Sequence, residues 1–192
     1  MKIGLFFGSF NPIHIGHLII ANIMAETTDL KKVWMVVSPQ NPFKPSKGLL
    51  HEFDRYDMVR AAVYGSYTIE ASDIEFHLPK PSYTIHTLVH LSEKHPDKQF
   101  KVILGEDNLT NFEKWKNHER ILEDYGLYVY PRPNAQPSEL KKHPNVKMVE
   151  APLLDISATF IRKCIRNHHS VRYMVPDAVE EIIRQKGFYL HA

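Results

Sequence analysis

Cysteine is the scarcest residue type in this chain. Cys164 stands alone, so no internal disulfide can form. It falls in "FIRKCIRNHH", an apparent helix, where a free cysteine serves as a small packing residue. Long apolar runs are missing too. No stretch approaches the ~18 consecutive apolar residues of a membrane-spanning helix, and the N-terminus opens on a strand-like segment rather than a charged-then-apolar leader. The expectation is a soluble, cytoplasmic protein with no membrane partner. Charge of one sign is not in excess: 24 Lys and Arg face 22 Asp and Glu, a formal +2 with no basic block. Nucleic-acid binders usually carry a basic stripe, so no nucleic-acid partner is expected. Internal repeats and low-complexity tracts are absent, and the 12 histidines are scattered, which argues against a His-rich metal tract.

What remains is ordinary globular material. With 192 residues, 43% of them hydrophobic, the chain suffices for one domain with a sizeable core, its C-terminal part (about 155–192) forming a small helical subregion. Strand-like runs alternate with amphipathic segments. "KIGLFF", "VWMVVS", a short stretch in "YTIEASDIEF", "FKVILG" and "GLYVYPRP" read as strands. Between and after them, "IGHLIIANIMAETT", "FDRYDMVRAAVYG", "SYTIHTLVHLSEKH" and "VPDAVEEIIRQKG" read as helices. In the first helix Leu18, Ala21, Met24 and Ala25 recur at helical spacing. The Pro- and Lys-rich stretch 131–147 reads as an exposed connection, and His168-His169 as a solvated helix end. Such alternation predicts an α/β fold, a Rossmann-like doubly wound parallel sheet. Ligands of such sheets bind beyond the carboxyl ends of the strands. The polar segments "GSFNPIHIGH", "SPQNPFK" and "GEDN" each follow a strand and should share one rim.

"GSFNPIHIGHL", residues 8–18, poses the sharpest question: why two histidines, three apart, where a strand gives way to a helix? It lacks the Gly-Lys-Ser/Thr of a P-loop and is not G-x-G-x-x-G. A helix starting near Ile15 exposes unpaired N–H groups that attract anions, for roughly 0.3–1 kcal/mol when exposed. His14 and His17 fall on nearly the same side of that turn, which makes a plausible cradle for a polyphosphate. Metal binding is a second reading, but a structural zinc site needs four ligands and only two are at hand. Capping or packing of the helix is a third.

The same run resembles the signature of the nucleotidyltransferase superfamily, with its Gly-[Ser/Thr]-Phe-[Asp/Asn]-Pro and His-x-Gly-His motifs. "DISATFIR", residues 155–162, is similar to its second signature. Class I aminoacyl-tRNA synthetases share His-Ile-Gly-His but are much longer and carry a Lys-Met-Ser-Lys-Ser type partner that is lacking here. "SPQNPFK", "PSYTIHTL", "GEDNLTNFEKW" and "YPRP" resemble, within the superfamily, the bacterial nicotinate-nucleotide adenylyltransferases over nearly the whole chain. Phosphopantetheine adenylyltransferases are shorter and lack these middle motifs. Two positions depart from the common pattern: Asn11, where Asp is more usual, and Ala158, where a second Ser is.

The resemblance implies adenylyl transfer from ATP to nicotinic acid mononucleotide, with magnesium carried on ATP rather than held by a protein site. It implies that Gly8 and Ser9 let phosphates approach the backbone, that His14 and His17 bind ATP phosphates with His17 at the α-phosphate, and that Lys44 and Arg162 hold the β- and γ-phosphates. His14, His17, Lys44 and Arg162 form the expected catalytic set. Ser157 adds a hydroxyl and helix-start amides, and Asp107 a ribose contact, with Phe10 and Gly105 also in the ATP group. Tyr83, Thr84 and Trp115 would meet the pyridine carboxylate, Arg132 the substrate phosphate, and Asn41 the same substrate. Two alternatives stay open. One is an enzyme using the nicotinamide mononucleotide or both mononucleotides, a reading Asn11 mildly favours. The other is a non-catalytic nucleotide sensor. Oligomeric state is open as well.

Overall fold

In the computed structural model, residues 1–40 and 48–191 are described. Six strands, β1 (Lys2–Gly8), β2 (Lys32–Val37), β3 (Ile69–Ser72), β4 (Gln99–Gly105), β5 (Leu127–Tyr130) and β6 (Val146–Met148), form one sheet in the order β3-β2-β1-β4-β5-β6. Every pairing is parallel. The helices are α1 (Ile15–Thr27), α2 (Glu52–Ala62), α3 (Thr84–Lys94), the single turn α4 (His118–Arg120), α5 (Ala158–Arg166) and α6 (Asp177–Lys186). None among the described residues is long and apolar enough to cross a membrane.

The strands are apolar on both faces because both faces are covered. Alternation along β1 and β4 sends Phe6 and Ile103 into one core with α1, α2, α5 and α6. It sends Ile3, Leu5, Phe100, Val102 and Leu104 into the other, with α3 and the 106–125 segment. Cys164 packs in the first core, as a buried free thiol does. The same core takes in Ile161, Ile165, Val179, Ile183 and Tyr189 of the C-terminal region. Strand order reverses between β1 and β4, so the loops leaving Gly8 and Gly105 part company there and open a crevice.

Two local expectations change. The 131–147 stretch is not wholly a connection: it holds a 3-10 turn (Glu139–Lys142) and leads into β6, which pairs with Leu127–Val129. A three-residue edge strand with Lys147 and Met148 exposed carries too little apolar pattern to be seen in sequence. In α1 the buried stripe is Gly16, Ile20, Ala21 and Met24, with Leu18 and Ala25 only half-buried. This helix is apolar almost all round, so its inward face was ambiguous. Elsewhere α5 ends at Arg166 and the chain turns out through His168 at φ +56°, which explains the exposed histidine pair.

Leu88 is fully buried on α3 in the second core. Leu88→Ala should destabilise the fold by about 2–5 kcal/mol in urea denaturation, whereas Leu153→Ala, at a 66% exposed position, should change it by no more than about 0.5 kcal/mol.

Candidate active site

A cleft of about 620 Å³ opens at the carboxyl rim of the sheet, in the range of small-ligand sites. The β1–α1 turn forms its floor. A Cβ on Gly8 would lie 2.7 Å from the Phe10 ring, so the glycine lets that ring fold back over the strand end. Phe10 is 2% exposed, holds φ +45°, and meets the His17 ring edge-on at 5.0 Å between centroids. A non-glycine residue held at positive φ costs on the order of 1–3 kcal/mol, which the surrounding packing sustains.

His14 is the N-cap of α1. Its backbone N–H donates to Nδ1 of His17 at 3.3 Å, and the two rings stack at 3.6 Å and 23°. In a neutral His17 ring, that bond puts the proton on Nε2. His14 is 5% exposed, and its Nδ1 is buried with no hydrogen-bond partner. Burial first, and then the charge of Arg132, bring its pKa down to about 4, so His14 is neutral at pH 7. Gly16 between the two histidines has a packing reason. A Cβ there would lie 2.5 Å from Cγ2 of Ile156 and 3.1 Å from the His14 ring. The absence of a side chain lets the 155–157 segment close on the start of α1.

That segment brings in α5. Ser157 caps it, its Oγ accepting from the Phe160 N–H at 3.2 Å. Arg162 Nη1 donates to the Asn11 carbonyl at 2.7 Å and Nη2 to Thr159 Oγ1 at 3.3 Å. Across the cleft Arg132 Nε stands 3.8 Å from Asp107 Oδ1, joining the loops after β5 and β4. At the far end α3 begins at the cleft wall with Tyr83 as an N-cap whose side chain makes no capping bond. Its first N–H groups are left without that partner. Lys116 Nζ lies 4.8 Å from the centre of the Tyr83 ring, and Trp115 packs on Phe112 at 5.4 Å.

The pattern of the cytidylyltransferase-like family matches residues 5–164. A protein of Cytophaga hutchinsonii named "probable nicotinate-nucleotide adenylyltransferase" is 61% identical over 98% of both chains. One of Flavobacterium johnsoniae with the same name is 50% identical over 98% of this chain and 99% of its own. The chain belongs to the nicotinate-nucleotide adenylyltransferase family. A solved structure of the Plasmodium falciparum nicotinic acid mononucleotide adenylyltransferase, complexed with NaAD, has the same fold. Its TM-score is 0.84 at 21% identity, covering 100% of this chain and 98% of that one.

Of the residues the family resemblance singled out, Gly8, Ser9, Phe10, His14, His17, Tyr83, Thr84, Gly105, Asp107, Trp115, Arg132, Ser157 and Arg162 all line this one cleft. Asn41 and Lys44 lie outside the described residues. The backbone N–H of Trp115 is occupied by the Phe112 carbonyl at 2.9 Å, so Trp115 can offer its ring but not that donor.

Two residues escaped notice in the sequence, and a third was noted there only as a departure from the family pattern. Glu75 lines the cleft although nearly fully buried; Thr87 Oγ1 donates to its Oε1 at 2.8 Å, and burial raises its pKa. An acid between apolar neighbours in "SDIEF" was the available signal. Lys116 is an ordinary charge in "KWK" until the fold sets it over Tyr83. Asn11 is the third. Its Nδ2 donates to the Gly48 carbonyl at 2.9 Å, while its Oδ1 accepts from Leu50 N–H at 3.3 Å and Tyr189 Oη–H at 2.9 Å. An aspartate cannot make the first bond, so the departure at position 11 has a structural cause.

Two outcomes follow for measurement. An unfolded histidine titrates near 6.5 and His14 at about 4. Between those values the unfolded chain binds more protons, so the His14 contribution is full above pH 6.5 and is lost as pH falls to 4. The stability advantage of wild type over His14→Gln should shrink by up to about 3 kcal/mol across that window, read by urea denaturation at stepped pH. Asn11→Asp should lower stability at pH 7 by about 1–3 kcal/mol, because it sets a carboxylate against the Gly48 carbonyl in place of a donor. Thermal melts of the two proteins compare them directly.

Proposed function

We propose that the chain transfers the adenylyl group of ATP to nicotinic acid mononucleotide, releasing pyrophosphate and giving deamido-NAD. The observation that carries the reading is the meeting of the two motifs: the stacked His14–His17 pair at the start of α1 and the Ser157–Arg162 segment, closed together over Gly16. A phosphate oxygen of the mononucleotide attacks the ATP α-phosphorus in line. The bond to the bridging oxygen of the β-phosphate breaks, and its electrons leave with pyrophosphate. The nucleophile is already an anion at neutral pH, so the site has no need of a strong base or a covalent intermediate.

What such a transfer needs is alignment and charge stabilisation. In this reading neutral His14, and His17 through its Nε2–H, donate to the phosphates, α5 presents its first amides, and Arg162 and Arg132 supply fixed positive charge, while the first amide of α1, the Ile15 N–H, is taken by the Met174 carbonyl at 2.9 Å. Lys44, to which the family resemblance gives a part in holding the β- and γ-phosphates, lies outside the described residues. Removing one donor that acts in the transition state typically costs ~3–4 kcal/mol. Among the described residues no group of three His, Cys, Asp or Glu gathers as a metal site. In this reading magnesium belongs to the substrate, riding on the triphosphate with water and phosphate oxygens around it. At the other end, the uncapped start of α3 and the Lys116 ammonium favour an anionic pyridine substituent over a neutral amide. Since Asn11 is accounted for by its hydrogen bonds, it no longer speaks for the amide substrate.

Pyrophosphate release with ATP, magnesium and either mononucleotide tests the proposal. Fast turnover with the nicotinate compound and slow turnover with the nicotinamide one is expected, with EDTA abolishing activity and excess magnesium restoring it. Equal rates would remove the assignment of α3 and Lys116 to the carboxylate; no turnover with either would overturn the reaction.

A further inference from the structure

Arg55 projects from α2 into the protein rather than into solvent. It is 0% exposed and is the largest fully buried side chain among the described residues. Its guanidinium meets four main-chain carbonyls. Nε donates to Leu50 at 2.9 Å, Nη1 to Ser9 at 2.6 Å and to Ser38 at 2.8 Å, and Nη2 to Pro39 at 3.1 Å. The carboxylate whose charge acts on it, Glu52, is held by Lys80 at 2.5 Å. Carbonyl dipoles, not a salt bridge, compensate the buried cation. Burying a charge this way is costly, and an apolar side chain of similar volume often serves stability as well or better. The four carbonyls have one thing in common: they belong to the turn after β1, the end of β2, and the point where the chain returns at Leu50. Asn11 ties the same return, at Gly48 and Leu50, to the same turn.

We propose that Arg55, which does not itself line the cleft, is a positioning residue for the ATP phosphates. By holding the Ser9, Ser38, Pro39 and Leu50 carbonyls at once, it sets the Gly8–Asn11 turn in the place where triphosphate must dock. Lysine keeps the charge but not the planar fork that reaches several acceptors at fixed angles, so geometry and charge can be separated. The inference rests on the reading of this cleft as an ATP site, and the test keeps the two apart.

ATP binding to wild type and Arg55→Lys is measured by calorimetry without acceptor, well below each protein's melting midpoint, followed by steady-state kinetics. Arg55→Lys should bind ATP roughly tenfold or more weakly and lose on the order of a hundredfold in kcat, as small misplacements of a site do. Its KM for the mononucleotide should stay unchanged, a split that general loosening would not produce. Linkage supplies a second measurement that needs no variant. If the Arg55 bonds favour ATP, ATP must favour the Arg55 bonds, so exchange of the Arg55 Nε–H in wild type should slow at least severalfold on adding ATP. A folded Arg55→Lys with wild-type ATP affinity and kcat, or an Nε–H exchange rate indifferent to ATP, overturns the proposal. Wild type that fails to bind ATP overturns instead the functional reading beneath it.

Discussion

The side chain of Asn11 is buried at the junction of three distant pieces of chain, and both ends of its amide are used. Its nitrogen donates to Gly48, and its oxygen accepts from Leu50 and from the hydroxyl of Tyr189, close to the C-terminus. Its backbone carbonyl takes Arg162. The turn after β1 therefore cannot move without moving the return at 48–50, α5 and the residues after α6. Burial raises the stakes of each bond, since an unpaired polar group there costs about 1–3 kcal/mol. Arg55 adds four more bonds to the same region. Together these two residues make the floor of the cleft a cross-braced loop rather than a surface connection.

That rigidity suits the proposed reaction, which asks for positioning. The histidine rings are fixed by stacking on one another and by the edges of Phe6 and Phe10. Burial keeps His14 neutral, which suits a helix N-terminus where a proton would meet the positive end of the dipole. Formal positive charge comes instead from side chains farther round the cleft, Arg132, Arg162 and Lys116. One carboxylate, Asp107, faces Arg132. The other, Glu75, is buried against Thr87, and burial raises its pKa. The electrostatics of the cleft are therefore those of an anion-binding site, although the chain as a whole is nearly neutral.

Much of this was legible in one dimension. Alternating apolar strands and amphipathic helices have different periods, so the doubly wound sheet could be read from the order of elements, and the polar segments after β1 and β4, with Ser38 and Gln40 after β2, fell on the expected rim. The motifs were legible because their residue types are unusual together: two histidines around a glycine, and a Ser-Ala-Thr helix start before an arginine. β6 was not legible, because three residues of which two face solvent carry no pattern. Arg55 was not singled out in the sequence, although its spacing from Met58 and Val59 placed it on the apolar stripe of α2.

The sequence alone determined the class of fold, the strand that ends at the cleft and the residue types that follow it, since periodicity and local residue chemistry survive without neighbours. Which of those side chains are neutral, which are braced and what the glycines make room for was decided by tertiary structure. The neutrality of His14 depends on burial and on Arg132, more than a hundred residues away. The need for glycine at position 16 depends on Ile156, and the need for an amide at position 11 on Gly48, Leu50 and Tyr189. Those causes are contacts between segments remote in sequence, and such contacts exist only once the chain has folded.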